Sequence, residues 1–223
     1  MKDLKLMKKI FLFVSLSILV NLSYSQSNVP GRISLSAGFD MGGHYIISEE
    51  TYSGTVIDQD TSGAATKLFH FNAHYSLANW FSAGLGFRIG NYVEDPDDPD
   101  SKYQSNSVNE FYLDTRFYFL NKDKFNMYGM LSGGKTSFTL NHDEAGFKVT
   151  NKYSAPVIRL GLGFNWYFTK YIGLWYNMEY AGRNFKLLSQ DINGTATDLT
   201  NYKFTFNTKG AHFAIGICIK FKE

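Results

Sequence analysis

The sequence lacks the covalent and helical features by which many proteins are stabilised or anchored. Its 223 residues contain one cysteine, Cys218, so an internal disulfide bond is excluded. No segment shows the apolar stripe of period 3.6 that is typical of an amphipathic helix. No apolar run reaches the roughly 20 residues that a membrane-spanning helix needs. Stability must therefore come from a large core or from a closed β-sheet.

The N-terminus has the three-part pattern of a secretory signal peptide. A basic leader, MKDLKLMKK, precedes an apolar run, IFLFVSLSILV, and small residues follow at Ser23 and Ser25. This order predicts cleavage after Ser25. We therefore expect residues 1–25 to be a signal peptide and residues 26–223 to form one domain.

Positive charge is concentrated in that leader. Residues 1–25 hold four lysines and one aspartate, so their removal changes the formal charge from +2 to −1. A domain with this charge lacks the strongly basic character that nucleic acid attracts. Nucleic acid is therefore excluded as a natural partner.

Apolar and polar residues alternate strictly along most of the chain. In segment 159–168, Leu160, Leu162, Phe164 and Trp166 are separated by two glycines and an asparagine, and Arg159 and Tyr167 flank them. A period of two is typical of a β-strand with one apolar and one polar face. Similar stretches begin near residues 32, 69, 81, 110, 125, 172 and 211. The sequence thus predicts eight strands.

The connections between these strands alternate in length. Short turns are expected at Ala78-Asn79, at Asn121 to Lys124 and at Thr169-Lys170. The other four connections are long and polar, at residues 46–66, 94–106, 141–152 and 188–201. Short turns on one rim and long loops on the other are typical of outer-membrane barrels. We therefore expect an all-β fold: an eight-stranded antiparallel up-and-down transmembrane β-barrel, with short periplasmic turns and long extracellular loops.

Two features indicate that the apolar face of this barrel meets lipid. Glycines occupy the polar face, where small inward residues would make room for large neighbours; they are Gly84, Gly86, Gly161, Gly163, Gly173 and Gly216. Aromatic residues crowd both rims, as membrane-interface belts do. The short-turn rim has Trp80, Phe81, Phe119, Phe125, Trp166, Tyr167, Phe168 and Tyr171. The opposite rim has Tyr45, Tyr92, Phe138, Tyr153, Phe185 and Tyr202.

The strand pattern, the connections and the leader together resemble the small eight-stranded outer-membrane β-barrel proteins of Gram-negative bacteria. The resemblance covers about residues 32–221, and the last strand ends at Phe221 much as the family's C-terminal assembly signal does, although Lys222 and Glu223 follow. It implies export through the inner membrane and insertion into outer-membrane lipid by the barrel-assembly machinery. We expect the loops 46–66, 94–106, 141–152 and 188–201 to meet an extracellular partner that the sequence does not identify.

The polar face carries opposite charges at similar heights in the predicted barrel. Four acids and four arginines belong to this cluster: Asp40, Arg88, Glu110, Asp114, Arg116, Arg159, Glu179 and Arg183. Buried charges must be paired, and a planar guanidinium suits carboxylates. We expect Arg88 to pair with the acids of the next strand, and Arg159 with Glu179. Side chains just fill an eight-stranded interior, so we interpret this cluster as a structural salt-bridge plug. A proton or ion path is the alternative.

Other candidate sites have less specific patterns. His70 and His74 alternate inward and could join His212 or Asp40 around a metal ion, but their spacing is no metal signature. The acidic segment Glu94–Asp100 lacks the glycine and the ligand order of a calcium loop. We interpret these as hydrogen-bonded interior histidines and a solvated loop, and we expect Cys218 to pack inward.

Some outer-membrane barrels of this size modify lipids, so a catalytic site is one alternative for this chain. His44 and Ser48 supply the residue types near the outer rim, but no acid partner is identifiable. We therefore predict no catalytic residue, no cofactor and no metal ion. The predicted function is a non-enzymatic barrel with a structural or adhesive role. The alternatives are a lipid-modifying outer-membrane enzyme and a secreted soluble ligand-binding barrel.

Overall fold

The structure is a computed structural model that describes residues 26–93, 104–144 and 146–221. Nine strands form in these ranges: β1 Ile33–Tyr52, β2 Thr55–Ala78, β3 Phe81–Val93, β4 Gln104–Asn121, β5 Phe125–Glu144, β6 Phe147–Tyr167, β7 Ile172–Ile192, β8 Thr195–Ala196 and β9 Tyr202–Lys220. In the same ranges no helix is long and apolar enough to cross a membrane. The predicted signal peptide and the acidic segment 94–100 lie outside the described residues.

Eight of the strands form a closed antiparallel barrel. Strands β1 to β7 pair consecutively, β7 then pairs with β9, and β9 pairs with β1. Closure leaves the wall without an open sheet edge, which a sheet in lipid requires. The two-residue β8 pairs only with the outer end of β7. The predicted eight-stranded barrel is confirmed, and β8 is a small addition that its polar surroundings concealed.

The wall of the barrel is apolar outside and polar inside. Phe39, Ile158 and Leu160 point outward and are 65–67% exposed, whereas the adjacent Asp40 and Arg159 are almost completely buried. Burying charge while exposing a continuous apolar surface is unfavourable in water but suits a lipid environment. The outward apolar face is therefore the lipid face, and the soluble-barrel alternative is wrong.

Inward glycines make room for the largest interior side chains, as predicted. A Cβ atom added to Gly86 would lie 2.1 Å from the ring of Tyr112. A Cβ atom added to Gly163 would lie 2.2 Å from Asn177 and 2.6 Å from the ring of Tyr128. Both distances are far inside van der Waals contact, so the two tyrosine rings occupy the space that glycine leaves.

Two of the segments predicted as long loops, 46–66 and 141–152, are mostly strand in the residues that the structure describes. β1 and β2 stay paired up to Tyr52 and Thr55, and a two-residue turn at Ser53 and Gly54 joins them. Both turn residues have positive φ, 49° and 83°, as in the tight turns that match strand twist. Residues 141–144 and 147–152 likewise form the outer ends of β5 and β6. Polar side chains on both faces erase the alternation there, whereas backbone pairing continues without it.

The aromatic belt at the short-turn rim is confirmed for most of its members. Trp80, Trp166 and Phe168 are 54–59% exposed on the lipid face. Tyr167 is the exception, because it points inward and is buried. Alternation with its exposed neighbours Trp166 and Phe168 requires that orientation.

Candidate functional site

A chain of ion pairs crosses the lumen at mid-height. Asp40 on β1 meets Arg88 on β3, with Oδ2 2.8 Å from Nη1. The same guanidinium reaches Glu179 on β7, with Nη2 2.7 Å from Oε2. Arg88 therefore binds one acid on each side of it, and all three side chains are excluded from solvent.

The chain continues through two further arginines. Nη1 of Arg159 lies 3.5 Å from Oε2 of Glu179, and its Nη2 lies 2.6 Å from Oε1 of Glu110. Oε2 of Glu110 then lies 3.2 Å from Nη2 of Arg183. Three acids and three arginines thus alternate, so their formal charges cancel within a medium that screens charge poorly.

His212 joins the two ends of this chain. Its Nδ1 lies 2.6 Å from Oδ1 of Asp40, and its Nε2 lies 3.5 Å from Nη2 of Arg183. A carboxylate only accepts and a guanidinium only donates, so these neighbours favour the neutral ring with its proton on Nδ1. The closed set Asp40, Arg88, Glu179, Arg159, Glu110, Arg183 and His212 is called the charge ring below.

The two remaining members of the predicted charged cluster pair with each other nearer the short-turn rim. Nε of Arg116 lies 3.1 Å from Oδ2 of Asp114, which also faces Nε2 of His74 at 2.8 Å. Ser132 donates its hydroxyl to the second carboxylate oxygen of Asp114 at 2.9 Å. The guanidinium of Arg116 lies 4.6 Å from the ring centre of Tyr128, a cation–π contact.

All eight charged residues expected in the interior are buried there, but one of the two expected pairings is wrong. Arg88 was expected to bind acids of the next strand, β4, and binds Asp40 and Glu179 instead. The expected pair of Arg159 with Glu179 is present at 3.5 Å, and Arg159 also has a closer partner, Glu110, that was not expected. Long arginine side chains cross the narrow lumen, so strand adjacency does not determine their partners.

The histidines that were considered as metal ligands have other partners. His74 and His212 bind Asp114 and Asp40, whereas Nε2 of His70 lies 2.5 Å from the hydroxyl of Tyr112. Across the described part of the chain, no three His, Cys, Asp or Glu side chains converge as a metal site would require. Cys218 is buried beside Trp175 and Tyr167 in a small apolar cluster.

The residues considered for catalysis do not form a pair. Nε2 of His44 lies 3.0 Å from Oγ1 of Thr66 on β2. Ser48 lies four residues farther along β1, about 13 Å away at the usual rise of a strand, and it is opposite Asp60. A serine nucleophile needs its base within hydrogen-bond reach, so this arrangement does not provide one.

An apolar cluster that the sequence reading missed fills the lumen above the charge ring. Phe138, Tyr153, Phe185 and Phe206 pack there from β5, β6, β7 and β9, with Leu68, Val108 and Ala155. The rings of Phe185 and Phe206 stack with centroids 4.5 Å apart. This aromatic layer separates the charge ring from the outer mouth of the barrel.

The aromatic layer corrects the predicted upper belt. Phe138, Tyr153 and Phe185 were assigned to the membrane interface, but each is at most 8% exposed. Tyr92 also faces inward, where it packs against the layer, whereas Tyr45 is 54% exposed on the outside. The predicted belt rests on the position of these residues along the strands and not on the face they occupy. Phe185 lies two residues from the inward Arg183, so alternation predicts that Phe185 points inward as well.

The inner end of the lumen is filled by amide side chains and by the segment before β1. Asn121 donates through Nδ2 to the carbonyl oxygens of Asn28 and Asn79, at 2.7 and 2.8 Å. Nδ2 of Asn126 donates to the hydroxyl of Ser27 at 2.6 Å. Residues 26–32 thereby extend beneath the barrel and cover its inner end.

Among the solved structures that are similar to this barrel are two outer membrane proteins. The outer membrane protein OprG from Pseudomonas aeruginosa is 18% identical, with a TM-score of 0.61 over 89% of this chain and 100% of OprG. The outer membrane protein AlkL, solved in lipid bilayers, is 13% identical, with a TM-score of 0.51 over 90% of this chain and 95% of AlkL. No protein-family model and no curated protein matches the sequence. At such identities the likeness concerns the fold.

Proposed function

We propose that this chain, which has the fold of the small eight-stranded outer-membrane β-barrels, is a closed barrel that binds a partner through its outer hairpins. The barrel anchors and orients those hairpins, and neither part requires a catalytic group. The apolar tip of one hairpin, held well beyond the membrane, is the observation that carries the proposal.

Filling of the lumen supports a barrel that does not conduct. The floor contains Asn121 and Asn126, the charge ring crosses the middle, and the aromatic layer covers the ring. An eight-stranded barrel has an interior just wide enough for side chains to fill. An ion entering from outside would first meet the aromatic layer, which offers it no polar ligands.

The hairpin of β1 and β2 projects beyond the outer rim. Strand β1 continues for seven residues from the exposed Tyr45 to Tyr52, and it stays paired with both β2 and β9. At the rise and tilt usual for barrel strands, this segment spans about 18 Å. Pairing on both sides holds the outer end of β1 in a fixed orientation.

The tip of that hairpin exposes apolar side chains. Tyr52, Val56 and Ile57 are 52–57% exposed. At this height water surrounds them, so covering them with a partner gains hydrophobic free energy. Tyrosine is also among the residue types enriched in protein interfaces.

The charge of the hairpin favours a basic partner. Residues 46–64 contain four acids and no lysine or arginine. Glu50 and Asp58 stand directly opposite each other in the strand register, and like charges in that position repel. A partner with basic and apolar groups would relieve the repulsion and cover the tip.

Shortening the hairpin tests this proposal. Ser48 pairs with Asp60, so replacing residues 49–59 by Asn-Gly keeps the β1–β2 register below the cut. We expect full-length barrels in lipid nanodiscs to be retained on beads coated with a lysine- and tryptophan-rich peptide. The shortened variant should pass through while remaining folded.

A double substitution distinguishes the contribution of the apolar tip from that of the rest of the hairpin. Val56→Ser with Ile57→Ser removes the apolar tip, and Gln59→Ser with Thr61→Ser is the matched control on exposed polar positions of the same hairpin. Retention should fall only in the first pair. Equal retention of the shortened barrel, or no retention of the wild type, would contradict the proposal.

A further inference from the structure

The periplasmic rim has a basic cavity beside the inner end of the lumen. Its volume is about 110 Å³, several times the roughly 30 Å³ that one water occupies in the liquid. Residues from five separate segments line it, among them Arg32, Asp123, Lys170, Tyr171, Lys220 and Phe221. Three cations face one acid, so the formal charge of this lining is +2.

Backbone hydrogen bonds fix the positions of these residues. Ser76 N–H donates to the carbonyl oxygen of Arg32 at 2.9 Å, which anchors the start of β1. Lys220 N–H donates to the carbonyl oxygen of Tyr171 at 2.8 Å, which ties β9 to the turn before β7. The cavity thus lies between the barrel strands, a short turn and the segment before β1.

Lys220 brings a buried ammonium group to this cavity. The residue is only 5% exposed. Its Nζ donates to the carbonyl oxygen of Asp123 at 3.3 Å and lies 3.9 Å from the ring centre of Tyr167. Neither group carries a full negative charge, and an ammonium has three N–H donors. Lys220 can therefore donate further to a ligand.

Arg32 adds a second cation with spare donors. Its Nη1 donates to the carbonyl oxygens of Ser27 and Gln26, at 2.6 and 3.4 Å. A guanidinium has five N–H donors, so these two bonds leave part of the group available. The charge of Arg32 repels that of Lys220 more strongly than the carboxylate of Asp123 attracts it. An anion between the two would relieve the repulsion.

We propose that the rim cavity binds the phosphate of a phospholipid in the periplasmic leaflet. Phosphate is the anion whose oxygens suit a guanidinium fork and an ammonium together. Tyr171 and Phe221 are 42% and 46% exposed at the outer edge of the cavity, where aromatic residues mark the headgroup level. The surrounding bilayer therefore presents its phosphates at the height of the cavity.

Lipid binding to the full-length barrel in detergent tests this proposal. The barrel is titrated with dioleoylphosphatidylglycerol, with dioleoylglycerol, which lacks the phosphate, and with inorganic phosphate, and bound ligand is counted by native mass spectrometry. We expect one tightly bound phosphatidylglycerol and at least tenfold weaker binding of the other two. Lys220→Gln should weaken the binding of phosphatidylglycerol about tenfold, as expected for the loss of a charge-assisted hydrogen bond.

A matched pair of surface variants covers the case in which Lys220→Gln misfolds. Lys170 and Lys124 are exposed turn lysines on the same rim, but only Lys170 lines the cavity. Lys170→Gln should weaken the binding of phosphatidylglycerol by about threefold, the loss expected when one partly screened charge is removed. Lys124→Gln should leave this binding unchanged. Equal effects of the two variants, or equal binding of dioleoylglycerol, would overturn the proposal. Binding of inorganic phosphate as tight as that of the lipid would overturn the assignment to a lipid headgroup.

Discussion

Arg159 on β6 reaches across β5 to bind Glu110 on β4, with Nη2 2.6 Å from Oε1. The intervening strand permits this because its inward residues beside the pair are small. Ser132 stands opposite Arg159, and Thr136 stands opposite Glu110. Thr136 also donates its hydroxyl to Oε2 of Glu110 at 2.9 Å. The ion pairs of the lumen are therefore selected by free space on the strand between them.

A double-mutant cycle tests the Arg159–Glu110 pair. Removing either charge alone leaves its partner buried, and we expect Arg159→Met or Glu110→Met to cost about 3–5 kcal/mol. The double variant should cost less than the two single changes summed, since neither partner of this pair is then left alone, although Arg183 still loses its acid partner Glu110. Folding free energies from urea titrations in lipid vesicles give the comparison. Strictly additive losses would show that the two residues are not partners.

A second cycle, on Arg159 and Glu179, compares the coupling energies of Arg159 with its two acid neighbours. Its distance to Glu179 is 3.5 Å, and Glu179 already binds Arg88 at 2.7 Å. We therefore expect a smaller coupling energy between Arg159 and Glu179 than between Arg159 and Glu110. A larger coupling to Glu179 would contradict the order of pairs in the charge ring.

An arginine on the lipid face should destabilise the barrel according to its height. Leu162 is 57% exposed in the middle of β6, and Leu188 is 63% exposed near the outer end of β7. Leu162→Arg should cost about 2–4 kcal/mol in lipid, because it places a charge in the hydrocarbon. Leu188→Arg, beyond the membrane, should cost little. Equal losses in refolding titrations would refute the assigned lipid band.

Interior glycines should not tolerate alanine. Gly86→Ala and Gly163→Ala place a methyl group against the rings of Tyr112 and Tyr128, and overpacking of this kind costs about 1–3 kcal/mol. Gly129→Ala is the matched control, because its added Cβ meets no atom within 4 Å. Thermal unfolding in one detergent compares the three variants. A loss in Gly129→Ala as large as in the others would point to strand entropy and not to packing.

Topology can be checked by labelling introduced cysteines, since the native Cys218 is buried. Asp58→Cys lies in the outer β1–β2 hairpin and Lys170→Cys in a short turn, and both positions are exposed. A membrane-impermeant maleimide added to intact cells should label Asp58→Cys alone. Labelling of Lys170→Cys alone would mean that the barrel is inserted the other way.

Alternation in the sequence was sufficient to predict the barrel, its lipid face and the burial of the charged cluster. The same alternation indicates the aromatic layer, because Phe138 and Phe185 lie two residues from the inward Thr136 and Arg183 and therefore point to the same side. Reading aromatic residues by height alone obscured that signal. The pair Asn193-Gly194, both with positive φ, likewise marked the tight turn between β7 and β8.

Ion-pair partners could not be predicted from strand order. Arg88 lies opposite Glu110 in the β3–β4 register, yet it binds Asp40 and Glu179. An arginine side chain is long enough to cross a lumen of this width, so several acids compete for each guanidinium. The outcome depends on which inward positions are small, and this is a property of three or more strands together.

Electrical recording from the purified barrel in planar lipid bilayers tests the closed lumen most directly. The charge ring and the aromatic layer above it leave no continuous water path in this account. We predict that the wild type shows no steady conductance steps in concentrated potassium chloride, and that Arg159→Met with Glu110→Met is equally silent, because the methionines still fill the lumen. Large and steady single-channel currents from the wild type would contradict the account.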